Sequence, residues 1–231
     1  MLRITPKIAF KRPVEVSISP EKIEKKAYYG RKRFSIDELF SIEECKGSYD
    51  IFFDGDFSMV RNLGRRMKSG RIYVKGDAGD YLGAYMKGGE IYVSGKVKNW
   101  AGACMRGGKI FINEDAGSWL GAACWGEQYG MRGGKIIVKG SSLAYTGFKM
   151  RGGLIYVKKV KKMCGALMRG GTIICSDAGY MCGALMRGGT IICKKCYLPP
   201  SFSKCSTYFP CLLYTSPSPR ELSTSRMPSS A

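Results

Sequence analysis

One octapeptide recurs along the chain. MKSGRIYV (67–74), MKGGEIYV (86–93), MRGGKIFI (105–112), MRGGKIIV (131–138), MRGGLIYV (150–157), and MRGGTIIC at 168–175 and again at 186–193 make seven copies. The steps between their methionines are 19, 19, 26, 19, 18 and 18 residues, a period near 19 with one insertion of about seven. A short fixed period means that each repeat is one structural unit, unable to bury its apolar face alone and stacked on its neighbours. The chain therefore reads as a solenoid, and other residues are judged by their place in the coil.

After the glycines the residues alternate. Ile72 and Val74, Ile91 and Val93, Ile110 and Ile112, Ile136 and Val138, and Ile155 and Val157 fall on one side of a strand of period two. Between strands, GDAGDYLGAYM (76–86) and EDAGSWLGAACW (114–125) carry Asp and Gly as turn signals, with Leu82 or Leu120 marking a short inward segment. The expected fold is all-β: a right-handed parallel β-helix of about seven coils over residues 49–197, each strand pairing with its counterpart one coil along. Six intervals of about 4.8 Å give a rod of about 30 Å.

Residues 1–48 differ in kind and are expected to form a short mixed cap over the open end of the solenoid. A helix start is expected at Ser19–Pro20, and a second short helix around Ile36–Phe40 with Ser35 as its cap. Residues 198–231 read as a low-complexity tail rich in Ser, Pro and Thr; CLLYTSPSPRELSTSRMPSSA (211–231) breaks every earlier pattern and has the look of non-native sequence. The identical MCGALMRGGTIIC at 163–175 and 181–193 points to recent duplication or faulty assembly.

Composition narrows the function. With 231 residues and 45% hydrophobic content the chain can build a core. No apolar run approaches bilayer length and the first twenty residues lack a signal-peptide core, so a cytoplasmic protein is expected. Histidine is absent, which removes the commonest general base and metal ligand at neutral pH. Asp77 and Asp115 sit in turn positions and are read as fixing backbone. The ten cysteines include Cys164 with Cys182 and Cys175 with Cys193 at matching places in the repeat, where reduced thiols stack as small apolar groups. CKKC (193–196) with Cys205 and Cys211 has irregular spacing for a metal site, and MRGG followed directly by a strand is no disordered RGG box. GDAGDYLG resembles a phosphate loop but is followed by no helix and recurs coil after coil. No catalytic, cofactor-binding or metal residue is expected in this chain.

Two rows call for a partner instead. Tyr73, Tyr92, Phe111, Ile137, Tyr156, Ile174 and Ile192 face away from the inward aliphatics, an apolar stripe too long for the N-terminal segment to cover. Lys68, Lys87, Arg106, Arg132, Arg151, Arg169 and Arg187 hold one slot in successive repeats and account for seven of the cations behind a net charge of +20. An acidic partner surface would relieve their repulsion. The insertion AACWGEQYG, between Gly121 and Met131, is the first place to look for a specific contact, with Trp125 as anchor. The candidate interface is thus Tyr73, Tyr92, Phe111, Tyr156, Trp125, Arg106, Arg132 and Arg151.

The pattern GD-x-G-x-x-x-G-x-x-M-x-G-G-x-I-x-V, as in GDAGDYLGAYMKGGEIYV (76–93), resembles the glycine-repeat β-helix shared by the structural subunit of formylmethanofuran dehydrogenase and the C-terminal domain of the glutamate synthase large subunit. SIDELFSI before the first coil, and AGSWLGA followed by a widened turn, bring it closer to the dehydrogenase subunit over roughly residues 13–160. The resemblance implies a structural subunit of the complex that reduces carbon dioxide and attaches the formyl group to methanofuran, the first step of methanogenesis from CO2. It implies partners that carry the chemistry: a redox subunit with tungsten- or molybdenum-pterin and an iron–sulfur cluster, and an amidohydrolase-like subunit. No membrane partner is implied, and nucleic acid is disfavoured. Three alternatives stay open: the equivalent subunit of the related formyltransferase/hydrolase complex of methylotrophs, a glutamate-synthase-type spacer domain, and a free-standing cationic β-helix that binds acidic polymers.

Overall fold

The structure, a computed structural model, describes residues 2–44, 50–197 and 212–215. The 198–231 tail lies outside the described residues apart from the last of these stretches, as do Cys205 and Cys211.

A seven-element N-terminal segment comes first: β1 (Leu2–Pro6), β2 (Val14–Ser19), β3 (Lys22–Ile23), β4 (Lys26–Tyr29), β5 (Lys32–Ser35), α1 (Ile36–Leu39) and β6 (Phe40–Glu44). The solenoid follows with β7 (Ile51–Asp54), β8 (Val60–Leu63), β9 (Arg71–Lys75), β10 (Glu90–Val93), β11 (Lys109–Ile112), β12 (Lys135–Ala144), β13 (Leu154–Lys162), β14 (Arg169–Tyr180) and β15 (Gly188–Tyr197). A short β16 (Leu212–Thr215) closes the described chain.

The solenoid is parallel and in register. Ile72 pairs with Ile91, Ile91 with Ile110, Ile110 with Ile136, Ile136 with Ile155, Ile155 with Ile173 and Ile173 with Ile191. Those seven isoleucines are fully buried, and with Val74, Val93, Ile112, Val138 and Val157 they form the interior wall that the period-two pattern implies. β7 joins β9 in the same sense, which gives eight parallel rungs, one more than the seven octapeptides, because IFFD (51–54) precedes the first methionine. Register is unbroken across the 26-residue step: Phe111 pairs with Ile137, so the extra residues loop out.

Each part of the octapeptide has a separate task. All seven methionines are buried. The second glycine of each pair turns the corner in the left-handed region, φ +87° at Gly108, which a side chain would strain. Asp77 and Asp115 bind backbone one coil ahead rather than within their own turn: Asp77 accepts from the Lys96 amide at 2.7 Å, and Asp115 from the Ser141 amide at 2.8 Å. Cys164, Cys175, Cys182 and Cys193 are buried thiols, with Cys175 beside Cys193 in adjacent rungs.

The N-terminal segment corrects one expectation. Ser19–Pro20 does not start a helix; Val14–Ser19 is a strand that turns into β3, because Val14, Val16 and Ile18 alternate inward and this periodicity outweighs a local capping signal. The second expected helix is the single turn α1, with Ser35 at its N-cap position but making no side-chain cap bond. β1 pairs parallel with β7 and antiparallel with β6, while β2 pairs parallel with β8, so the segment extends sheet edges beside the first coil. At the far end β16 pairs antiparallel with β15.

Candidate functional site

The widened coil is where the surface becomes specific. Tyr81, Trp100, Trp119 and Tyr145 each stand two residues before a turn glycine, with φ between 57° and 66°. Such a backbone costs a non-glycine residue about 1–2 kcal/mol. It is held by coil-to-coil bonds such as Tyr81 N to Asn99 O at 2.9 Å, and each ring stacks on the next at centroid distances of 5.2, 5.8 and 4.1 Å, with planes within 10°. Stacking of this kind returns about 0.5–1.5 kcal/mol per pair beyond area burial. This ladder was not anticipated from the sequence, although an aromatic two residues before Gly83, Gly102, Gly121 and Gly147 is visible there.

The insertion folds back over the ladder. Trp125 lies 6.0 Å from Trp119, tilted by 49°, and remains 80% exposed. Tyr85 donates its hydroxyl hydrogen to Glu127 Oε1 at 3.2 Å. The Tyr129 ring has the guanidinium carbons of Arg132, Arg151 and Arg169 at 5.4, 4.7 and 5.5 Å from its centroid. Trp125 therefore separates two hollows. One, of about 360 Å³, is lined by Trp100, Trp119, Trp125 and Phe148; the other, of about 290 Å³, by Tyr81, Tyr85, Arg65 and Cys124.

Cys124 sits on the wall of both hollows. Its amide donates to Cys104 Sγ at 3.3 Å, which brings the two residues of neighbouring coils together. A hydrogen bond from the Cys104 thiol, with a further one from the Tyr85 hydroxyl and the charge of Arg65, lowers the Cys124 thiol to about 7 against the opposing effect of burial. The Cys104 thiol is pushed up, by the same hydrogen bond and by burial. Cys104 has one S–H and Tyr85 one O–H, however, and the Tyr129 carbonyl at 3.5 Å and Glu127 Oε1 at 3.2 Å compete for them.

The residues expected at an interface fall into three groups. Tyr73, Tyr92 and Phe111 stack in line with Phe52 at 4.6, 5.1 and 4.8 Å and are half-buried, with Tyr92 donating to Glu90 Oε2 at 2.7 Å. Tyr156 continues the row through Ile137 and is 45% exposed. The N-terminal strands lengthen the sheet rather than lie across this stripe, Arg3 falling beside Phe52 in the register. Trp125, Arg132 and Arg151 converge on the insertion, whereas Arg106 is exposed one coil before it. Among the described residues no group of His, Cys, Asp or Glu is arranged to hold a metal ion, and no helix is long and apolar enough to cross a membrane.

The GXGXG motif family model matches residues 58–196, more than half of the chain. A solved relative of the fold is a chain of the formyltransferase/hydrolase complex FhcABCD from Methylorubrum extorquens, crystallised with methylofuran. It superposes with a TM-score of 0.81 at 27% identity, over 90% of this chain and 83% of that one. No curated protein matches the sequence.

Proposed function

This chain belongs to the GXGXG motif family, and we propose that it is the non-catalytic β-solenoid subunit of a multi-subunit complex that handles formyl groups on a furan-based carrier. The observation that carries the reading is the superposition over nine-tenths of the chain on a component of a complex crystallised with methylofuran. The residues are consistent with it: histidine is absent, and the insertion presents rings and guanidinium groups to the outside. A rigid rod of in-register rungs suits the task of holding two catalytic subunits at a fixed separation, since each coil is tied to the next by backbone bonds.

The finer reading is formylmethanofuran dehydrogenase, on the sequence resemblance to its glycine-repeat structural subunit. Affinity purification of the chain from its host, with mass spectrometry and metal analysis of the eluate, tests both levels. Co-elution with a pterin-metal subunit and tungsten or molybdenum supports the dehydrogenase. Co-elution with amidohydrolase-like and formyltransferase subunits, without either metal, supports the formyltransferase/hydrolase complex. Recovery as a lone monomer overturns the scaffold and favours a free-standing cationic rod.

A further inference from the structure

Seven cations stand in one row along the solenoid, one per coil: Lys68, Lys87, Arg106, Arg132, Arg151, Arg169 and Arg187, all exposed. The amides of Arg106, Arg132, Arg151 and Arg169 donate to the carbonyls of Met86, Met105, Met131 and Met150 one coil back, all at 2.8–2.9 Å. The row therefore keeps the coil spacing of about 4.8 Å. Neighbouring charges at that distance repel by about 0.9 kcal/mol even in bulk water.

The carboxylates pair elsewhere. Asp54 binds Arg3 and Lys75, Asp80 and Glu15 bind Arg61, Asp50 binds Arg71, Glu90 binds Lys109 and Asp177 binds Lys159. Glu21 accepts from the Lys68 amide and the Ser69 hydroxyl at the start of the row. Among the described residues no ion pair reaches the side chain of any of the seven. Tyr129 then draws three of them together, with Arg132, Arg151 and Arg169 packed around one ring. A guanidinium resting on a ring keeps N–H edges free for carboxylate oxygens, and its ordering is already done before a partner arrives.

We propose that this row, centred on Arg132, Arg151 and Arg169, docks the acidic stripe of an α-helix on a partner subunit. The pitch selects the helix. Carboxylates at i, i+3 or i+4, and i+7 of a helix recur about every 5.2 Å along its axis, whereas same-side residues of an extended strand recur about every 6.7 Å. Over the two intervals from Arg132 to Arg169 the row advances about 9.6 Å and an acidic helix stripe about 10.5 Å, but a strand about 13 Å. A helix thus stays within about 1 Å of the three guanidiniums, a distance that arginine side chains absorb by small torsional adjustments within their rotamers, without leaving the ring. The proposal deepens the scaffold reading by giving the partner's chemistry, and it rests on that reading for the partner being a subunit.

The test titrates the full chain with a fluorescent helical peptide bearing glutamates at i, i+4, i+7 and i+11. The control has the same composition with its glutamates spread round the helix, and binding is read by anisotropy at about 50 and 200 mM salt. The striped peptide is expected to bind about tenfold tighter than the control and to weaken at the higher salt. Arg151→Ala and Tyr129→Leu each weaken it about fivefold or more, while Lys158→Ala, off the row, leaves it unchanged; circular dichroism confirms that the variants are folded. Equal binding of the two peptides overturns the proposal, as does an oligonucleotide of equal charge that binds as tightly. No assembled complex is needed, so selective peptide binding by a chain that purifies alone sinks the scaffold reading only. Co-purification without stripe preference sinks the docking row only.

Discussion

The Cβ that Gly107 lacks would lie 2.3 Å from the carbonyl oxygen of Lys87, one coil earlier. The same approach recurs between Gly88 and Lys68 at 2.1 Å, Gly133 and Arg106 at 2.5 Å, and Gly152 and Arg132 at 2.4 Å. The first glycine of the repeat is thus set by how closely two backbones pass, and a backbone carbonyl within the coil ladder cannot move aside. Gly107→Ala is expected to cost about 3 kcal/mol, the upper part of the overpacking range, read as a lower urea midpoint. Gly126→Ala is the control: its φ is +81° but nothing lies within 4 Å, so only backbone strain of about 1 kcal/mol remains. Equal losses at both sites would show that coil approach is not what demands the glycine.

Trp125 separates stability from recognition. With 80% of its surface in water it adds little to the fold, and Trp125→Ala should leave the unfolding free energy within about 0.5 kcal/mol of the parent. An aromatic anchor at an interface is worth about 2 kcal/mol or more, so the same variant should retain partner subunits about thirtyfold less well in the affinity purification. Retention equal to the parent would remove the insertion from the docking face.

The rungs were legible because one pattern, Met-x-Gly-Gly-x-Ile-x-Val, encodes the corner, the close coil approach and the inward strand face together. The extent of the insertion was legible too, from a single irregular step. Its contacts were not, because Tyr129 meets Arg169, 40 positions later, only after the loop folds back across two coils. The Tyr81–Trp100–Trp119–Tyr145 ladder escaped for a different reason. Its members occupy left-handed turn positions, where the period-two reading of strands has no reach and where propensity argues against a large side chain. Ser19–Pro20 misled because a helix-start signal spans two residues, while the competing Val14–Val16–Ile18 alternation extends over five.

Trp119 is the keystone of that ladder: it stacks on Trp100 and Tyr145, meets Phe148 edge-on at 5.2 Å and carries Trp125. Trp119→Ala is expected to destabilise by about 3 kcal/mol, the low end for truncating a packed aromatic, because this ring is only half-buried. Near-ultraviolet circular dichroism should lose most of its tryptophan signal with it. A variant that keeps both the spectrum and the urea midpoint would mean that the ladder contributes no rigidity.

Cys124 offers a pH-dependent readout of the same loop. Its thiol is lowered to about 7, so the thiolate, which is the alkylating species, becomes half-populated near neutrality. The rate of iodoacetamide modification at Cys124, followed by peptide mass spectrometry, should rise through pH of about 7 and level off near 8, below the ordinary thiol midpoint of about 8.5. Buried Cys104, whose thiol is pushed up, should react slowly throughout. Tyr85→Phe decides where the single O–H of Tyr85 points: the curve moves to higher pH if it donates to the thiolate and stays if it donates to Glu127. Cys104→Ala decides where the single S–H of Cys104 points. If it points to Cys124, this curve moves up; if it points to the Tyr129 carbonyl, the midpoint stays. A parent curve already centred near about 8.5 would mean that neither group acts on Cys124.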